Sequence, residues 1–396
     1  MSESVVTPLT PNGPSGEAMD RRFLAIRESG WGTPFRLVQP RNLCFWIVLW
    51  GLAAGAVHMV QYLVPAAGQY SVALGSGVLL FGIYTVPWLF LLHYHNRYTS
   101  IPGRPLVLAF AWSFVAGTFW MGLQVNAAVL SLYGKAFGPA FVRDWAAGLT
   151  APITEEIIKA TALVLVIGLA PRLVSSAYAG LIIGAYSGLG LQIAEDLIYV
   201  VNGAAGAHGT NQVGAAVSTL LNRGYVGLFQ HVLFSAVYCA GLVWLLGRGG
   251  RHRARGALLV LAVIVLHFCW DDAASLGTAV AGPLGPLALL WVVLPIVGLL
   301  LLWLTFRLAA PREQAWMRDL LRPEVERGII SEAELVAVSG GFRARRHHLR
   351  QAEHRRAEKH VLHAIADFAG ELARGRGRET DRIDHARAEI LRLRAV

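Results

Sequence analysis

Eight apolar runs limit what this chain can fold into. They fall at roughly 43–66, 71–93, 105–133, 151–170, 175–202, 224–247, 257–277 and 284–307 of 396 residues. Each is near or above the ~20 residues that a helix needs to cross ~30 Å of hydrocarbon. A helix satisfies its own backbone groups in lipid, whereas an isolated strand leaves them unpaired. The expected fold class is all-α: a polytopic membrane helix bundle of about eight transmembrane helices with a helical C-terminal tail. Hydrophobic residues make up 55% of the chain and charged residues 15%, against about 25% charged in an ordinary soluble domain. That composition excludes a soluble enzyme and a disordered chain. Residues 1–42 read as a polar tail, partly disordered and lacking signal-peptide features. Residues 43–310 read as the membrane domain and 311–396 as a basic helical tail.

Lys and Arg set the orientation of such a bundle. Eight spans put 31 of these residues on the side of the termini and 3 on the other, with Lys159 left inside a span. Both termini are therefore expected in the cytoplasm. The net charge of +10 fits anionic lipid at that face, at about 1 kcal/mol per nearby basic residue. No nucleic-acid motif is present. Within the tail, Ser331 and Glu334 fit a helix capping box, and 343–375 and 379–395 read as charged helices open to a cytoplasmic partner. Gly180, Gly184 and Gly188 recur every fourth residue and predict a close helix contact.

Only seven acids lie between 43 and 306, and eighteen lie outside. An ionisable group within a span costs about 2.5–3.5 kcal/mol even on the lenient scale. Six of the seven form adjacent pairs on three spans: Glu155–Glu156, Glu195–Asp196 and Asp271–Asp272. His231 and His267 join them. Counting rise along alternating helices places all these groups in the outer half of the membrane, which predicts one polar cavity open to the extracytoplasmic side. Lys159 is four residues from Glu155 and is expected to pair with it. His267 and Asp271 share a helix face in the same way. Asp196 is expected to face water, and for Glu156 and Asp272 a place near the interface is an equal alternative to a place in the cavity.

Such a cavity supports three chemistries. A Glu can take a proton from water as general base. Two His with carboxylates can hold a metal that polarises water. The same groups can relay protons or ions in a transporter, which is the alternative function class. No HExxH and no nucleotide-cradling Gly loop occurs.

The acidic segments also resemble a family. Glu155-Glu156-Ile157-Ile158-Lys159 is similar to the EExxK motif of PrsW-type intramembrane proteases. Leu191 to Glu195 resembles their FxxxE motif, with Leu191 in place of Phe. His231 falls at the family's isolated His, and His267 to Asp271 matches HxxxD with Trp270 before the Asp. Four motifs thus appear in order over about 150–275. PrsW proteins are similar to a wider group that includes CAAX prenyl proteases. The resemblance implies hydrolysis of a peptide bond in a single-pass membrane protein, such as an anti-sigma factor, in a bacterial cell membrane. It assigns water activation to Glu155 with Glu156 supporting, and oxyanion stabilisation to His267 and Asp271. Glu195 and His231 would orient the water or bind a metal. A glutamate mechanism without a cofactor and one with a divalent metal such as zinc both follow, the metal candidates being His231, His267 and Glu195.

Overall fold

The apolar runs are helical in the computed structural model, which describes residues 13–250 and 252–395. The first twelve residues of the tail expected to be partly disordered, and Arg251 of a basic loop, lie outside the described residues. No strand occurs among those described. The chain divides into two compact units. One comprises Phe35–Asn96 with Pro102–Ala309, and the other the residues before Phe35, Arg97–Ile101 and those from Ala310 onward.

Five helices among the described residues are long and apolar enough to cross a membrane. They are Leu43–Asn96, Gly103–Phe137, Ala177–Gly206, Arg253–Asp271 and Ala273–Glu326. The Glu155 helix, Ala147–Leu169, is long enough but carries three charged residues. The His231 helix, His231–Leu245, is apolar but shorter. The expected count of eight is not confirmed as such. Leu43–Asn96 takes in two expected spans within 54 residues and is broken at Tyr70 (φ −129, ψ 42). Contacts show that it doubles back there. Asn42, just before its start, donates to the Gly168 carbonyl at 2.9 Å. Near its end, Tyr178 and His95 are 3.4 Å apart. Its middle meets the opposite end of the bundle, with Gln212 accepting from Ala73 N at 3.0 Å and Tyr62 donating to Asn202. Apolar side chains such as Phe90 and Leu258 stay largely exposed, as a lipid-facing surface requires.

The Glu195 helix, Ala177–Gly206, is buried on all sides from Ala177 to Ala194. The predicted glycine face is the reason. A Cβ on Gly184 would lie 2.2 Å from the Ser235 carbonyl oxygen, and one on Gly188 2.3 Å from that of His231. The two backbones can approach this closely only where no side chain intervenes. Gly188 and Glu195 are seven residues apart, about two turns, and so lie on one face. The face that admits the His231 backbone therefore also presents Glu195 to it.

The second unit has its own core, in which Ala25 and Trp31 pack with Trp316, Leu320, Leu335, Ile365, Phe368 and Ile390. The expected capping box is present at Ser331 and Glu334. A buried ionic knot joins the helices. Arg22 is fully buried and pairs with Glu324 at 2.8 Å, while its Nε donates to the Leu320 carbonyl at 2.9 Å. Glu324 also receives Arg327 at 2.6 Å and Arg387 at 2.8 Å.

Two outcomes follow. Gly188→Ala should lower the melting temperature of the purified protein, since overpacking costs about 1–3 kcal/mol. Gly206→Ala, whose Cβ would meet nothing within 4 Å, should not; equal melting of the two would contradict the packing account. Glu324→Gln should cost the second unit about 3–5 kcal/mol by leaving Arg22 buried without its charge partner. Limited proteolysis of the full chain at rising temperature reads this as earlier cleavage after residue 310, and unchanged resistance would count against it. Acid acts in the same direction. The bond from Arg387, helped by Arg327, holds Glu379 below the usual carboxylate range. That contribution is present above about pH 4.3 and lost as pH falls through the lowered value.

Candidate active site

Little more than one turn of the Glu155 helix, Glu155 to Lys159, builds the floor of the site. Lys159 is fully buried, and its amino group lies 2.6 Å from Glu156 Oε1 and 3.9 Å from Glu155 Oε2. The expected Lys159–Glu155 pair is thus the longer contact, and Glu156 is the principal partner. Positions three apart share a helix face as well as those four apart, and the closer carboxylate takes the charge. Glu156 Oε1 also lies 3.1 Å from His267 Nδ1. Lys159 Nζ is 3.2 Å from His231 Nδ1. Lysine and Glu156 therefore support both imidazoles from beneath, and only Glu155 of this pair reaches the cavity.

The cavity measures about 400 Å³ and is lined by Glu155, Glu195, His231, His267 and Asp271, with Asn126, Thr150, Tyr199, Asn202, Arg223 and Gln230 among the others. Five of the six sequence-derived site residues thus open onto it, with Glu156 directly behind His267. Asn126 donates its amide N–H to Glu155 Oε1 at 3.4 Å. Glu155 Oε2 is buried and has no hydrogen-bond partner among the described residues. It lies 3.8 Å from His231 Nδ1 and 3.9 Å from His267 Nε2. His267 Nε2 is 3.4 Å from Asp271 Oδ2, and His231 Nε2 is 3.1 Å from Glu195 Oε2. The imidazole rings stand 5.7 Å apart at 75°.

Some residues were misread or missed in the sequence. Asp196, expected to face water, is wholly buried and pairs with Arg223 at 2.5 Å. Arg223 entered the sequence reading only as an outer-side charge. The signal was available: a buried Asp needs a cation, and only three basic residues lie on that side. Asp272, equally expected near the interface or in the cavity, is buried too and accepts from Gly148 N at 3.0 Å. That bond ties the end of the His267 helix, Arg253–Asp271, to the start of the Glu155 helix. A Cβ on Gly148 would sit 2.4 Å from Asp272 Oδ2, so only glycine permits it. Asn126 was missed altogether. Thr154 Oγ1 lies 2.6 Å from Asn126 Oδ1, on the side of the amide away from Glu155.

The donor set fits a divalent metal. Glu155, His231 and His267 each offer one ligand atom, all within 4.8 Å of one another. Glu155 Oε2 and His267 Nε2 are buried without hydrogen bonds among the described residues, and His231 brings its Nδ1 to 3.8 Å from Glu155 Oε2 while its Nε2 meets Glu195. His267 is held by a carboxylate on its other nitrogen, the usual support for a metal-binding imidazole. The sequence-derived metal candidates differ in one member, since the carboxylate that converges on the histidines is Glu155, while Glu195 is engaged by Arg223 at 3.1 Å.

No curated protein and no solved structure matches the chain. Residues 102–300, half of the chain and all of its cavity-lining acids and histidines, match the model of the PrsW family of intramembrane metalloproteases. With helices long and apolar enough to span a bilayer, the chain is an integral membrane protein and belongs to the PrsW family of intramembrane metalloproteases.

Proposed function

We propose that this protease hydrolyses a peptide bond of a single-pass membrane protein, with Glu155 as general base for the attacking water. One observation carries the reading: Glu155 Oε2 faces the cavity without a hydrogen bond among the described residues, with a nitrogen of each histidine within 4 Å. Glu155 takes a proton from water and returns it to the leaving amine. Glu156 accepts from His267 Nδ1, which leaves Nε2 to face the reacting atoms. Asp271 stands 3.4 Å from that nitrogen and helps to orient the ring, whose N–H donates to the tetrahedral oxyanion. Asn126 holds Glu155 Oε1, so that Oε2 is the oxygen left for the water. Glu195 and His231 close the other side and orient the water. Should the divalent metal implied by the family description be bound, Glu155, His231 and His267 would hold it, and it would supply Lewis-acid activation of water and carbonyl.

The extracytoplasmic side of a bacterial inner membrane is the proposed place of cleavage, and an anti-sigma factor the proposed kind of substrate. The 31-to-3 asymmetry of basic residues supports the orientation. The resemblance to PrsW proteins supports the substrate. Both termini then face the cytoplasm, where the basic tail meets anionic lipid or a partner.

Purified full-length protein in detergent, given a panel of membrane peptides, should lose at least about 100-fold in kcat on His267→Ala or His231→Ala. Full activity of His267→Ala would contradict the mechanism. Chelation decides how Glu155 is used. Activity lost to a chelator and restored by zinc makes Glu155 a ligand, and activity indifferent to it leaves Glu155 a free base.

A further inference from the structure

One charged group in the cavity wall belongs to none of the four motifs. Arg223 sits on the short helix Gln212–Val226. Its Nε lies 2.5 Å from Asp196 Oδ1 and its Nη2 3.1 Å from Glu195 Oε2. The guanidinium also stands over the Tyr199 ring, 4.0 Å from its centre. Tyr199 is one turn beyond Glu195, so one planar fork is fixed by three residues of one helix. A lysine offers a single point charge and could not reproduce this fit.

The same Glu195 Oε2 lies 3.1 Å from His231 Nε2. That oxygen is therefore held between a guanidinium and an imidazole. Without Arg223, the adjacent carboxylates Glu195 and Asp196 would lose the guanidinium they share, and of the site's cations only Lys159 would still act on Glu195. Mutual repulsion and three free torsions would carry Glu195 away from the histidine. Neutralising Asp196 explains a cation here, but it does not explain the second arm of the fork on a residue that lines the cavity.

We propose that Arg223 is a positioning residue for peptide hydrolysis, fixing the Glu195 carboxylate against His231 Nε2 and so setting the orientation of the His231 ring in the cavity. This rests on the protease reading. The test uses full-length protein in detergent, a cleaved membrane peptide, and four variants: Arg223→Met, Asp196→Asn, the two combined, and Arg223→Lys. Arg223→Met should lower the melting temperature and cut kcat about 100-fold, the scale of a 1 Å misplacement, with KM little changed. The combined variant removes both halves of the buried pair, so its melting temperature should recover while kcat stays low. Arg223→Lys should restore melting more than kcat. Recovery of kcat together with stability in the combined variant would overturn the proposal, because Arg223 would then only neutralise Asp196. So would an effect of Arg223→Met confined to KM. A wild type that cleaves no peptide overturns the protease reading and this proposal with it. A wild type that cleaves beside a fully active combined variant overturns this proposal alone.

Discussion

The contact between Lys159 and Glu156 is the constraint on which the site depends. Both side chains are out of water in the middle of an apolar bundle, where a lone charge costs several kcal/mol. Their 2.6 Å pairing makes that burial tolerable, and it spends Glu156 rather than Glu155. Glu155 is consequently left with one oxygen unbonded among the described residues, at the point where two imidazoles converge. The second buried pair, Asp196 with Arg223, repeats the logic on the opposite wall. Each pair includes an acid next in sequence to a glutamate that faces the cavity, Glu155 in the first case and Glu195 in the second. A reactive group is thereby held by a charge pair that the membrane interior does not allow to separate cheaply.

Close backbone packing does the remaining work. Gly188 brings the His231 backbone against the Glu195 helix, and Gly148 lets Asp272 tie the His267 helix to the Glu155 helix. Neither glycine touches the cavity chemistry. Together they fix the spacing of the helices that supply all six site residues. Small residues at helix crossings are a general means of close approach in lipid, and here two of the crossings carry the catalytic side chains.

Much of this was legible in the sequence, for a physical reason. Acids are so costly in lipid that six of them in three pairs at one calculated depth had few explanations other than a shared cavity, and the structure places Glu155, Glu195, His231, His267 and Asp271 around one. The glycine face was readable because its period matches the helix. What escaped were relations between positions far apart in sequence. Only the scarcity of cations in the membrane region could point from Asp196 to Arg223, 27 residues on, and nothing near Arg22 announces Glu324, 302 residues on. The reversal near Tyr70 was legible too, because the apolar runs 43–66 and 71–93 part there. The expected Lys159–Glu155 pair is present at 3.9 Å, but the closer Glu156 contact escaped because positions three and four away are equally compatible with one helix face, and only the rotamers choose.

The central claim is that Glu155 handles the water that cleaves a membrane-embedded chain. The most direct measurement compares membrane-protein fragments, quantified by mass spectrometry, in cells carrying the wild type or Glu155→Gln at equal levels of folded protein. The account predicts that at least one single-pass protein accumulates uncut, with its cleaved fragments absent, in the Glu155→Gln cells alone. Identical fragment populations in the two would contradict it.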